Sequence, residues 1–233
     1  MKSAPGGLHG LVLDLRYNPG GLLTEAVSVS NTFIDKGTIV STQGVANVTP
    51  SEVKSAVAGE SMLGNRPLVV LINEGSASAS EIVSGAIRHY ADKGEVNAVV
   101  LGQRSFGKGS VQNVWPLAPN AKMKLTTQYY KLPDGRILHK KPGQKIWGVD
   151  PHLSISMLPE QESDALKLRQ DADVMAIDAN GNVVEDKPRP DPKKLIEDGV
   201  DLQLQTALVL LQLQTGGTAQ AAKAPPESSI EKP

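Results

Sequence analysis

The sequence predicts an α/β domain on a parallel or mixed sheet, and three observations carry that prediction. Short apolar runs at Gly10–Arg16, Pro67–Asn73 and Asn97–Gly102 read as strands buried on both faces. Helix-spaced apolar residues lie between them. The first two runs end in turn chemistry, Tyr17-Asn-Pro-Gly-Gly21 and Gly75–Ser80. Strands alternating with helices in this way are the pattern of a sheet covered by helices.

Taken in order, Gly10–Arg16 is the first strand. Residues 22, 23, 26, 27, 29, 33 and 34 are apolar, so Leu22–Asp35 reads as a helix. Gly37–Gln43 reads as a strand, and the polar stretch 44–66 as a loop or a short helical excursion. After the strand at Pro67–Asn73, Glu81–Tyr90 is a helix with Ile82, Val83, Ala86 and Ile87 on one face. Ser105–Ser110 is a glycine-flanked loop. Lys122–Tyr130 alternates with period two, which puts Met123, Leu125, Thr127 and Tyr129 on one buried face. Pro133-Asp-Gly135 is a turn, and Arg136–His139 reads as the returning strand of a hairpin.

The character changes near Leu158. Gln161–Arg169 is a polar helix candidate, and Gly199–Gln214 contains a second, with Asp201 as its N-cap and a leucine-rich face at 202–213. That face suits docking on the core or on a second copy of the chain, so a homo-oligomer stays open. Residues 216–233, rich in Gly, Ala, Pro, Ser and Lys, are predicted to be disordered. The domain reading is therefore a core at 1–157, a helical extension at 158–215 and a tail at 216–233.

Composition excludes several function classes. Net charge is −1 and aromatics are 3%, so neither an electrostatic grip on nucleic acid nor a base-stacking platform is predicted. There is no cysteine, which removes disulfides, thiolate catalysis and cysteine-ligated metals. The four histidines, His9, His89, His139 and His152, show no metal-ligand spacing, and no cofactor is predicted. No run reaches 18 apolar residues, and no basic-then-apolar leader opens the sequence. The first strand starts about ten residues in, as though the chain began inside a domain.

Three segments carry the chemistry: Leu13–Gly21, Asn73–Glu81 and Ser105–Gln112. Ser76, Ser78 and Ser80 lie where a buried strand turns into a helix. Amides at a helix start lack intrahelical partners, so a hydroxyl there can attack a carbonyl while the amides bind the developing oxyanion. A serine needs a base. Lys108, between Gly107 and Gly109, is the candidate; to serve, its pKa must fall from about 10.4 to roughly 7–8 by loss of water. Gln112 is four residues on, and a helical turn there would bring its amide to the lysine without a second charge.

These segments, in this order, resemble the C-terminal processing peptidases, or tail-specific proteases, over Gly10 to about Pro151. The resemblance implies a crotonase-like or Clp-protease-like α/β core with a mixed sheet, and serine–lysine peptide hydrolysis. It implies Ser78 as nucleophile, Lys108 as general base and Gln112 as the group that orients the lysine. The amides of Gly21 and Ala79 are the implied oxyanion hole. Thirty residues separate Ser78 from Lys108, against about 25 in the family, an extension that a surface excursion at Tyr90–Asn97 would absorb cheaply. Ser105 stands where the family has threonine.

Family members carry a helical segment, a PDZ domain and the first part of the core ahead of the strand at Gly10. The chain is thus expected to be N-terminally truncated, with a PDZ domain in the full-length form. The implied partners are protein or peptide substrates with unstructured C-termini, and the implied location is periplasmic or otherwise extracytoplasmic. Two readings compete: a peptide-binding fragment or scaffold without turnover, and an acyl-CoA enzyme of the crotonase type, which the Ser–Lys–Gln pattern opposes.

Overall fold

The computed structural model describes residues 7–44, 49–173, 177–180, 182–184, 191 and 199–216. Two compact units divide the chain between Ser154 and Ile155.

The first unit holds two four-stranded sheets. One is parallel, in the order β1 (Leu11–Asp14), β4 (Leu68–Ile72), β5 (Ala98–Gly102), β8 (Leu153–Ser154). β4, the sequence Leu-Val-Val-Leu-Ile, is buried at every residue because it has a strand on each side and side chains packed on both faces. Its register is in phase with both neighbours, Leu71 facing Asp14 on one side and Leu101 on the other. Two helices pack in this unit, α1 (Leu23–Asn31) and α2 (Ala79–Asp92): α2 against β5 and β2 (Gly37–Gly44), and α1 against α2 and the antiparallel strands described next. α2 buries Ile82, Val83, Ala86, Ile87 and Tyr90, the i, i+1, i+4, i+5, i+8 stripe that the sequence shows. Tyr90 closes the stripe by donating to Thr38 O at 2.9 Å.

The second sheet is antiparallel, in the order β3 (Val53–Ala56), β2 (Gly37–Gly44), β7 (Ala121–Lys131), β6 (Ser110–Ala118). Several expectations change here. The stretch read as loop or helix contains β3, held on β2, with residues 45–48 outside the described set. β6 was not predicted as a strand: its side chains are mostly exposed, so it shows no in–out alternation. β7 lacks the wholly buried face predicted for it, and Leu125 is 46% exposed. Arg136–His139 forms one bridge, Lys131 to Ile137, rather than a strand: Leu138 N donates to Tyr130 O at 3.2 Å, but Arg136 N turns to Asp134 Oδ1 at 2.9 Å and the next residue, Lys140, donates its amide to Gly107 O at 2.9 Å. α2 continues to Asp92, so the turn before β5 is shorter than predicted.

In the second unit, α3 (Pro159–Asp173) extends the predicted polar helix at both ends. α4 (Leu202–Gln214) has the predicted cap, with Asp201 Oδ1 accepting from Leu204 N at 3.0 Å. The leucine face is corrected. The buried residues are Gln203, Gln205, Ala207 and Leu211, while Leu202 and Leu213 are 40% and 64% exposed. Gln203 tolerates burial because its Nε2 donates to Ile155 O at 2.7 Å. The tail predicted at 216–233 lies, from residue 217, outside the described residues.

Candidate active site

The three chemistry-bearing segments leave the carboxyl ends of three adjacent parallel strands, β1, β4 and β5. Parallel strands in phase end together, so their loops meet at one rim, which is where open α/β sheets place their ligands.

The first loop is fixed by its neighbour. Tyr17, at φ 55°, donates its amide to Asn73 Oδ1 at 2.9 Å, and Asn73 Oδ1 also accepts from Gly75 N at 3.1 Å. Ser76 Oγ donates to Leu15 O at 2.8 Å and accepts from Asn73 N at 2.9 Å. Ser76 is thus a buried staple between the two loops rather than a reacting group. Asp14 and Arg16 form an ion pair of 2.7 Å at the end of β1, with side chains 16% and 5% exposed. Gly20 lies against the serine turn: at φ 91°, a Cβ there would stand 2.6 Å from Ala79 N and Ala77 O. Ala77 N donates to Asn18 O at 3.0 Å. Gly21 therefore sits one residue beyond the close approach of the turn to the start of α2. Among the described residues, neither the Gly21 nor the Ala79 amide has an acceptor within the chain.

Ser78 is the N-cap of α2 and has φ 56°, a left-handed conformation that non-glycine residues rarely adopt. Such strain persists only where surrounding bonds overdetermine it. Glu81 supplies them. Fully buried, it accepts from Ser78 N and Lys108 N on Oε2, each at 2.8 Å, and from Ser105 Oγ and Gly107 N on Oε1, each at 2.6 Å. Ser105 Oγ accepts from Val149 N at 2.7 Å, so its one proton goes to Glu81. Four donors converge on two oxygens, an arrangement suited to a carboxylate, which only accepts. This one side chain ties the serine turn to the lysine loop.

Lys108 is solvent-exposed in this chain, not stripped of water as the sequence reading required. Gln112 is exposed on β6, opposite Thr126 beside a bulge, so the helical turn that would carry its amide to Lys108 is absent. The chain goes straight from the lysine loop into the ladder with β7, and a strand carries successive residues away rather than back. Among the described residues, the Gln112 amide makes no hydrogen bond.

A cleft of about 970 Å³ opens beside these loops. Tyr17, Ala77, Phe106, Lys108, His139 and Trp147 are among its walls. His139, one of the four histidines without metal-ligand spacing, reaches this wall only through the fold. Burial first, and the Lys141 charge second, hold its imidazole below the usual histidine range, with Glu81 pulling the other way. The role of Glu81 was legible in part: Ser78-Ala-Ser-Glu81 is the capping-box spacing, which aims a glutamate at the N-cap amide. Its bonds to the lysine loop come from tertiary structure alone.

The crevice at the ends of the parallel strands thus brings a serine of positive φ at a helix start and a lysine loop onto the same carboxylate. Residues 1–155 match the model of peptidase family S41, and the chain belongs to that family. It is 46% identical over 159 residues to the carboxy-terminal-processing protease of Bartonella bacilliformis, covering 66% of this chain and 33% of the relative. A probable CtpA-like serine protease of Staphylococcus epidermidis is 38% identical over 156 residues, 67% of this chain and 29% of the relative. The chain thus spans about a third of the length of the curated relatives it matches. Among solved structures, the photosystem II D1 C-terminal processing protease superposes with a TM-score of 0.54 at 34% identity, over 65% of this chain and 36% of that one. An S41 protease structure from Bacteroides fragilis gives 0.57 over 91% of this chain and 46% of that one; at 15% identity it speaks for the fold alone.

Proposed function

We propose that this chain carries the catalytic machinery of a serine endopeptidase that hydrolyses protein substrates near their C-termini. Ser78 Oγ attacks the scissile carbonyl, Lys108 takes its proton, and the Gly21 and Ala79 amides bind the oxyanion. Lys108 then protonates the leaving amine, and water hydrolyses the acyl-enzyme. The observation that carries this reading is Glu81 Oε2, which accepts from the amides of both Ser78 and Lys108 at 2.8 Å. The two residues named by the sequence are anchored to a single atom.

The exposure of Lys108 fits a site that completes itself on binding. A peptide laid in the cleft removes water from the ammonium and favours the neutral amine that a base must be. Gln112 belongs to the same proposal: β6 must shift toward the lysine loop for its amide to orient Lys108. The relatives' length, about three times the matched segment, is consistent with a full-length form that adds a PDZ domain for tail recognition. An extracytoplasmic location and recognition of unstructured C-termini complete the proposal.

The test uses the full-length protease with Ser78→Ala and Lys108→Ala. Each is expected to lower kcat for an unstructured substrate with an apolar tail by at least about 10³-fold, with KM little changed. Normal turnover by either variant overturns the assignment. Gln112→Ala is expected to reduce kcat without abolishing it.

A further inference from the structure

The cleft beside Ser78 has a charge that the peptidase reading does not use. Besides Lys108, which that reading takes as the base, its walls hold two cations, Arg104 and Lys140, against one acid, Glu74. Arg104 and Lys140 are gathered at Trp147: Arg104 Cζ and Lys140 Nζ each stand 4.4 Å from the ring centroid. The two differ in what else they hold. Arg104 is committed, through an ion pair with Asp150 and a bond from Nη1 to Lys145 O at 3.2 Å. Lys140 has no carboxylate partner among the described residues, and its ammonium carries three donors.

The platform abuts the lysine loop. A Cβ on Gly107 would lie 2.6 Å from Trp147 Cδ1 and 2.9 Å from Lys140 Cβ, and Gly107 O accepts from Lys140 N at 2.9 Å. Gly107 immediately precedes Lys108, so a group resting on Trp147 and Lys140 is next to the reacting centre. The strap that supplies this wall, Arg136–Trp147, contains Arg136, Lys140, Lys141 and Lys145 and neither Asp nor Glu. Of these, Lys140 lines the cleft, whereas Arg136 pairs with Asp134 at 3.4 Å and Lys141 lines a different pocket.

We propose that this cleft selects peptides bearing a carboxylate, which the Lys140 ammonium receives while the adjoining apolar residue lies on Trp147. The proposal rests on the peptidase reading and names the substrate class of that site. The carboxylate has two sources, the free α-carboxylate of a chain end or the side chain of Asp or Glu, and the experiment separates them.

The full chain with Ser78→Ala binds without turnover. Its affinity is measured by fluorescence anisotropy for four labelled peptides of one apolar core. The first has a free C-terminus and no acid, the second is its C-terminal amide, the third is the amide with one Glu, and the fourth is the amide with Gln in that place. Preference of about threefold or more for the first over the second assigns the α-carboxylate, and for the third over the fourth the side chain. Either preference should disappear in Lys140→Gln and persist in Lys54→Gln, a cation on β3 outside the cleft. It should also shrink as salt rises from about 50 mM to about 500 mM. Equal affinity for all four peptides, no measurable binding of any, or a preference that survives Lys140→Gln overturns the inference. In parallel, a serine-reactive probe is applied to the chain with Ser78 intact. Binding preference without labelling would sink the peptidase reading and leave the carboxylate site; labelling without preference does the reverse.

Discussion

Glu81 shows how much one buried side chain can organise. It has no solvent exposure and takes four hydrogen bonds from two segments of the chain, one from the serine turn and three from the lysine loop. Replacing it by glutamine keeps the shape but turns two donors toward groups that are themselves donors. Bonds to a charged group are worth about 1.5–3 kcal/mol each, and an unmet buried donor costs about as much. Glu81→Gln is expected to lower the urea unfolding free energy by about 2–4 kcal/mol. Under the proposed peptidase function it should also lower kcat at least tenfold at temperatures where it remains folded. Unchanged unfolding and unchanged kcat would show that the four bonds organise nothing. Gly107 gives a second residue-scale expectation. It has φ 90°, and a Cβ would meet Trp147 Cδ1 at 2.6 Å, so Gly107→Ala combines backbone strain with a collision. A loss of about 1–3 kcal/mol is expected in the same unfolding measurement.

Elements differ in how clearly the sequence announces them, and burial decides it. β4 is enclosed by strands and packed on both faces, so its run of Leu, Val and Ile is a direct record of its surroundings. β6 has the same length of ladder as many core strands but faces solvent, and its sequence carries no alternation to read. It is the last strand in the order β3-β2-β7-β6, and Pro116 sits in it beside a bulge, both tolerated only at an edge. The energetic corollary is testable by urea unfolding of two variants. Leu71→Ala, at a fully buried site in β4, should cost about 2–5 kcal/mol. Leu125→Ala, 46% exposed on β7, should change stability by no more than about 0.5 kcal/mol. Equal effects would mean that the hairpin is packed in solution as tightly as the parallel sheet.

For the whole molecule, titrating groups set the limits of the stable pH range. His139 is held below 6.5 in the folded chain, by burial foremost. The unfolded chain therefore binds the proton first as pH falls, and stability declines from about 6.5 downward until the folded chain also protonates. Tyr90 and Tyr130 have their phenols raised above 10.0, chiefly by burial. There the unfolded chain loses its proton first, and stability declines as pH rises beyond about 10. Urea midpoints measured against pH should thus show a plateau between two falling limbs. His139→Gln should flatten the acid limb and Tyr130→Phe should soften the alkaline one. Limbs that both survive these changes would locate the titrating groups elsewhere.

The sequence by itself determined the local and periodic features. These are the parallel strands at β1, β4 and β5, the stripe of α2, the cap of α4, and the three segments whose residue types point to Ser78 and Lys108. They are legible because turn chemistry, helix period and two-sided burial each leave a short-range mark in the order of residues. Only the tertiary structure decided what touches what. It made Glu81 the tie between serine turn and lysine loop, put Gln112 on a strand, brought His139 to the cleft wall and stacked Lys140 on Trp147. Glu81 and Lys108 are 27 positions apart, and a pairing of that range is fixed by how the sheets and loops pack, which no local window of sequence contains.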